Sequence, residues 1–267
     1  VDIASLGYRT DIMLRLLEGS ERADHGDHIV VRSPANPSYW WGNFLLLASP
    51  PAPGGVSRWL SRFTAEFPAA FHVALGIDVT DRSAVGPAEF EAAGLTFRRE
   101  TVLTTTEVQP PPHPSRSAEF RPLAGSADWQ QAVELRVDCI GAEEPPADRS
   151  FWESRIAAQR GLAESGHGCW LGAFTGGRLV AQLGILTDGN GIARYQDVET
   201  HPAARRQGLA GTLVYQAGRY ALAQLAASTL VIVAEPDQQA IRVYRSCGFE
   251  ITEDQVSFER PPGPERA

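Results

Sequence analysis

The chain has 267 residues, 43% of them hydrophobic and 21% charged, a globular composition with room for two domains of ordinary size. Its 24 Lys and Arg stand against 32 Asp and Glu, and the formal charge of −8 argues against a general role on nucleic acid, where a basic footprint supplies affinity. No apolar run nears the roughly 20 residues that span a bilayer, no secretion signal is visible in Val1 to Thr10, and three scattered cysteines suit reduced thiols in a cytoplasm better than disulfides.

In the first half, helices are expected over 11–17, 56–67 and 87–93, and strands over 29–32, 43–48, 71–77 and 95–105. His25 and His28, the one close histidine pair, sit in a polar turn (AspHisGlyAspHis) that suits a solvated loop better than a metal ligand set. No metal site is expected elsewhere. The aromatic cluster Tyr39, Trp40, Trp41 and Phe44 suits packing rather than a ligand cage. Residues 107–117, EVQPPPHPSRS, then break the pattern. Four prolines in eleven residues cannot continue a helix or a central strand and favour an extended connector. A boundary here divides the chain into 1–108, a linker over 109–118, and 119–267.

The second half opens with a short strand over 119–123. Ser126 caps a helix reaching about Ile140, and Asp148 caps another through Trp152, Ile156 and Leu162. Strands 169–174 and 179–187 form a hairpin across Gly176–Gly177. A strand over 192–200 follows, then a helix over 207–225, an apolar strand over 229–234, a helix over 238–247 and a last strand over 249–259. Antiparallel strands followed by a strand–helix–strand unit predict a mixed, α+β-like α/β fold, its sheet largely antiparallel and flanked by helices.

The halves share an order. TyrArgSerCysGlyPheGluIle from Tyr244 and PheGluAlaAlaGlyLeuThrPhe from Phe90 each place an aromatic four residues before a helix-closing glycine, with a valine eight residues beyond it (Val256, Val102). The interval from Pro50 to Gly94 is 44 residues and that from Pro202 to Gly248 is 46. Duplication explains this economically; two ordinary α/β stretches would also give helix–glycine–strand.

The segment Arg205–Arg206–Gln207–Gly208–Leu209–Ala210, after His201–Pro202, lies where a strand passes into a helix. Free N–H groups at a helix start, the helix dipole, a glycine allowing close approach and two arginines together suit a pyrophosphate, although a solvated arginine-bearing helix start has the same composition. Asp197 and Glu199 share a face if their strand is regular, and that face looks toward substrate or toward solvent, or else holds paired side chains at a strand bulge.

The run from Thr200 to Ala210 resembles the acetyl-CoA motif of the GNAT acetyltransferase superfamily: Arg or Gln, two residues, Gly, one residue, then Gly or Ala. Asp237 to Ala240, with Tyr244 and Gly248–Phe249, resembles the family's second motif, with Asp237 standing where Asn is common. The resemblance covers 119–260 and implies two GNAT-like domains in tandem, the first degenerate. In that half Pro50–Pro51–Ala52–Pro53–Gly54–Gly55 takes the place of the pyrophosphate turn and Phe90 the place of Tyr244. The tandem layout also resembles mycothiol synthase-type enzymes.

The implied activity is N-acetyl transfer from acetyl-CoA, as co-substrate, to a primary amine of a small molecule; a non-catalytic acyl-CoA-binding module and a protein acetyltransferase are the alternatives. Implied coenzyme contacts are Val198, Glu199, Thr200, Arg205, Arg206, Gln207, Gly208, Leu209, Ala210, Asp237, Ala240 and Tyr244. The backbone of Val198 to Thr200 would hold the thioester, Tyr244 would protonate the leaving thiolate, and Glu199, then Asp197, are the candidate general bases. No nucleic-acid or membrane partner is expected, and self-association into a homodimer stays open.

Overall fold

A computed structural model describes residues 2–37, 39–140, 149–236 and 239–262. In chain order the first elements are α1 (Leu6–Leu17), β1 (Glu21–Asp24), β2 (His28–Arg32), β3 (Phe44–Leu47), α2 (Val56–Glu66), β4 (Val73–Ile77), α3 (Ala88–Ala92) and β5 (Thr96–Thr105). They are followed by β6 (Glu119–Pro122), α4 (Gly125–Ile140), α5 (Arg149–Glu164), β7 (Gly168–Thr175), β8 (Arg178–Thr187) and β9 (Ile192–Thr200). The last are α6 (Leu209–Gln224), β10 (Thr229–Ala234), α7 (Ala240–Ser246) and β11 (Glu250–Arg260). The mixed α/β architecture expected from the sequence is present, with antiparallel pairing predominant. Asp148, the expected cap of α5, lies outside the described residues.

The elements divide into two compact units. Unit 1 comprises Val1–Val102, Val233–Pro236 and Ile251–Ala267; unit 2 comprises Leu103–Ile232 and Asp237–Glu250. The sequence placed the last strand with the second half. In the structure β11 pairs antiparallel with β4, Val256 opposite Ile77 and Arg260 opposite Val73, so all but its first residue belongs to unit 1.

In unit 1, β2, β3 and β4 are almost wholly buried, which is why they read as continuous apolar runs instead of alternating ones. β3 and β4 are parallel and joined through α2, whose Val56, Trp59 and Phe63 recur at helical spacing and face the core. Phe258 of β11 stacks on Phe90 with ring centroids 3.7 Å apart. Phe44 is buried and Trp41 donates from its indole nitrogen to Glu259 at 3.1 Å, so these two aromatics pack within the unit. His28 differs from expectation: it is buried, stacked on His25 at 4.7 Å and bonded to Asp27.

Unit 2 is built on the meander β6–β7–β8–β9. Gly176 (φ 57°) and Gly177 (φ 80°) form the two-residue β7–β8 turn, where both central residues need positive φ. α6 then carries the chain from β9 to the parallel strand β10. The proline-rich segment is not a free tether. The Gln109 amide donates to the Cys247 carbonyl at 2.9 Å, Pro111 is buried, and the Ser115 amide donates to Thr212 Oγ1 at 2.9 Å. This strap lies along α6 and the end of α7 within unit 2.

Candidate active site

β9 and β10 pair in parallel at only three positions, Thr229 with Ile192, Leu230 with Ala193 and Val231 with Arg194. Beyond Arg194 they separate. At the same place β9 bulges: its register against β8 slips between Gln182 and Gly184, and Asp197 takes a left-handed conformation, φ 46°. An extra residue in one strand bends it and re-aims its side chains. The end of β9, Val198 to Thr200, thus leaves β10 and runs into the turn that starts α6.

That turn has the features of an anion nest. Arg206 (φ 62°) and Gly208 (φ 75°) are both left-handed, and the first helical bond of α6 is from the Thr212 amide to the Gly208 carbonyl at 3.1 Å. Among the described residues, none of the six successive N–H groups from Arg206 to Gly211 has a hydrogen-bond acceptor. Arg205 and Arg206 are exposed beside them, and Arg205 Nε donates to the Thr200 carbonyl at 3.3 Å. Unsatisfied amides at a helix start, with the dipole behind them, favour a bound anion. Gly208 is demanded twice over. Besides its φ, a Cβ there would collide with the His113 carbonyl oxygen and lie 3.0 Å from the Ser115 nitrogen.

Behind the bulge stands a carboxylate pair that shares one arginine. Arg136 of α4 contacts Glu199 Oε1 directly and lies 3.8 Å from Asp197 Oδ1, while its guanidinium sits 4.3 Å from the ring centroid of Trp152. Glu199 Oε2 accepts from Gln182 Nε2 at 2.9 Å; Gln182 also bonds the Ala132 carbonyl and the Trp170 indole. Asp197 Oδ2 accepts from Gln159 Nε2 at 2.5 Å. Burial, then the Asp197 charge, raises the Glu199 carboxyl above its ordinary range, against the pull of Arg136 and Gln182. The strand is therefore bulged here, the last of the readings that the sequence left open, and both carboxylates reach the same cation.

Tyr244 of α7 is 5% exposed, and its hydroxyl makes no hydrogen bond among the described residues. Burial pushes its phenol up to about 12. Ala240 opens α7, and Asp237 lies outside the described residues. Of the other site candidates, Gln207 is exposed and Leu209 buried as the first residue of α6. Arg136, Trp152, Gln159 and Gln182 were missed from sequence. Arg136 had a signal: it lies seven residues after Trp129 and four after Ala132, a charge on the buried stripe of its helix. Among the described residues, no His, Cys, Asp or Glu group could hold a metal ion, and no helix is long and apolar enough to cross a membrane.

The corresponding helix start in unit 1 is closed. Glu89 of α3 accepts from the Gly54 and Val56 amides, each at 3.0 Å, and the Gly55 amide donates to Ala52 at 2.9 Å. Pro51 and Pro53 have no N–H to offer. A side-chain carboxylate thus occupies the place an anion would take. Glu89→Ala is expected to lower stability by about 0.5–2 kcal/mol, as loss of a helix cap does, read as a lower urea midpoint. With two prolines still in the turn, it should open no new anion site.

Residues 129–249, from within α4 to just past α7, match the model of the Acetyltransferase (GNAT) family. No curated protein matches the sequence. Solved structures share the fold across both units. A conserved protein of unknown function from Staphylococcus epidermidis is 10% identical, with 91% of this chain and 95% of that one covered, TM-score 0.70. A GCN5-related N-acetyltransferase from Kribbella flavida is 18% identical, covering 97% of each chain, TM-score 0.65. A tandem GNAT protein from the clavulanic acid biosynthesis pathway is 18% identical, covering 97% of this chain and 95% of its own, TM-score 0.57.

Proposed function

We propose that unit 2 transfers an acetyl group from acetyl-CoA to a primary amine of a small molecule. The observation that carries this is the row of six unsatisfied amides from Arg206 to Gly211, with Arg205 and Arg206 beside it, at the turn where the family motif lies. Unpaired amides at a helix start, with the dipole behind them, favour the charge of a pyrophosphate. The strand end from Val198 to Thr200, free of β10, offers backbone N–H groups to the oxygen of a thioester carbonyl, where negative charge grows as an amine attacks. Tyr244 is in the protonated form at neutral pH, and its buried site opposes full ionisation. Its contribution is a hydrogen bond to the departing sulfur more than a complete early proton transfer. Asp197, with a side chain 26% exposed against 7% for Glu199, is the carboxylate that an acceptor amine reaches more readily. Unit 1, with its turn filled by Glu89, takes no coenzyme.

Calorimetric titration of acetyl-CoA tests this. One site per chain is expected, with affinity weakened about tenfold or more in an Arg205→Ala/Arg206→Ala variant, since each charged hydrogen bond is worth about 1.5–3 kcal/mol before solvent screening. Two sites per chain would contradict the closed turn of unit 1. Absence of binding would remove the foundation for acetyl transfer.

A further inference from the structure

The carboxylates of the bulge are not equivalent, and the difference lies in what holds each oxygen. Both Glu199 oxygens are engaged by donors that keep their protons at neutral pH, Arg136 on Oε1 and Gln182 on Oε2. Gln182 is itself fixed by the Ala132 carbonyl and the Trp170 indole, so it cannot turn away without breaking two further bonds. Asp197 has one oxygen bonded, Oδ2 to Gln159, while Oδ1 stands 3.8 Å from Arg136, beyond hydrogen-bonding range. Asp197 also has the more exposed side chain, 26% against 7%.

Arg136 is held in turn. Its guanidinium lies over the Trp152 ring, and its Nε is buried without a hydrogen-bond partner, so the side chain is committed to the carboxylates on one edge and the ring on its face. The titratable neighbours on α4 include Cys139, whose thiol burial pushes up to about 12 and keeps neutral, and Asp138, which pairs with His201 at 3.5 Å. Among the described residues, Arg136 is the cation that Asp197 and Glu199 share.

We propose that Arg136 is a positioning residue that divides the work of the two carboxylates, fixing Glu199 as a structural anion and leaving Asp197 Oδ1 to take the acceptor's proton. This rests on acetyl transfer being the reaction. The acceptor arrives as an ammonium and passes one N–H proton to Asp197. The neutral nitrogen then bonds to the thioester carbon as the C–S bond breaks. The second nitrogen proton is lost as the amide forms, the thiolate gains one proton, and the net proton released leaves to solvent from Asp197.

The test reads the carboxyls directly and needs no acceptor. Carboxyl carbon resonances of labelled Asp and Glu are titrated in the full chain, with Glu199 assigned by its disappearance in Glu199→Gln. In Arg136→Gln the Glu199 midpoint is expected to rise by about one pH unit or more, because a buried anion loses its cation. Arg136→Lys, which keeps the charge, should restore most of the shift. If Arg136→Gln does not fold, Trp152→Leu, which removes the ring under the guanidinium, should move Glu199 the same way by less. An unmoved Glu199 midpoint overturns the proposal. Acetyl-CoA affinity measured on the same samples is expected within about twofold of wild type, since Arg136 lies outside the turn. Failure of the wild type to bind acetyl-CoA would defeat acetyl transfer and leave the question of which carboxylate Arg136 holds to the resonances.

Discussion

Gly208→Ala is expected to weaken acetyl-CoA binding by about a hundredfold or more, or roughly 2.8 kcal/mol. Two penalties combine. The residue has φ 75°, a conformation that costs a side chain about 1–2 kcal/mol, and the new Cβ would push into the His113 carbonyl. Relief would come from moving the strap or from turning the amides away from their common focus, and either disturbs the nest. Thr212→Val tests the strap route, because it removes the Ser115-to-Thr212 bond and the Thr212 Oγ1 bond to the Gly208 carbonyl while Gly208 and its positive φ stay in place. If strap displacement alone accounted for the loss, Thr212→Val would lower affinity nearly as much as Gly208→Ala. The expected result is a loss of no more than about tenfold, the worth of two neutral hydrogen bonds at about 0.7 kcal/mol each. Calorimetry on both variants decides.

The second large effect concerns the carboxylates. With an amine found by screening, Asp197→Asn is expected to lower kcat/KM by about 100- to 10,000-fold, the usual contribution of a positioned general base. Glu199→Gln keeps one of the two accepted bonds on its single carbonyl oxygen, turns its NH2 toward the other donor, and should cost less than about tenfold in kcat/KM. Thiol release from acetyl-CoA, followed across pH, gives the comparison. Loss of the acidic limb of the profile is expected in Asp197→Asn alone. The opposite ranking would return the base to Glu199, the residue that sequence placed first.

Much of the fold was legible because hydrophobic periodicity and turn chemistry agree. β9 and β10 were bounded correctly at both ends, one by the AspGlyAsnGly turn and the other by an unbroken apolar run. β1, Glu21–Asp24, was missed: a charged edge strand has no apolar pattern to reveal it. α6 was placed two residues early, since Gln207 and Gly208 look like a helix start, whereas left-handed Arg206 and Gly208 keep the chain out of the helix until Leu209. No propensity marks an arginine for that conformation. The bulge was one of the readings that Asp197 and Glu199 left open, and alternating residues over 192–200 could not select it without Asp197 at positive φ. The turn from Arg205 to Ala210 was legible as a motif, with its donors contiguous in sequence. The Arg136–Glu199–Gln182–Asp197 cluster was not, because its members come from three elements and its meaning lies in which oxygen faces which donor.

β11 has a consequence for how the protein is made. The strand that covers β4 is drawn from residues 251–260, and residues 1–102 leave the ribosome about 150 residues earlier, on the order of ten seconds at ordinary translation speeds. Unit 1 emerges first and is completed last. Throughout that interval β4 presents a bare edge of buried-type residues, Val73 to Ile77, which another nascent chain could pair with. Translation pausing or holdase binding over this stretch should therefore matter more to the yield of folded protein than its modest length suggests, and a circular permutant that begins with β11 should shorten the exposure.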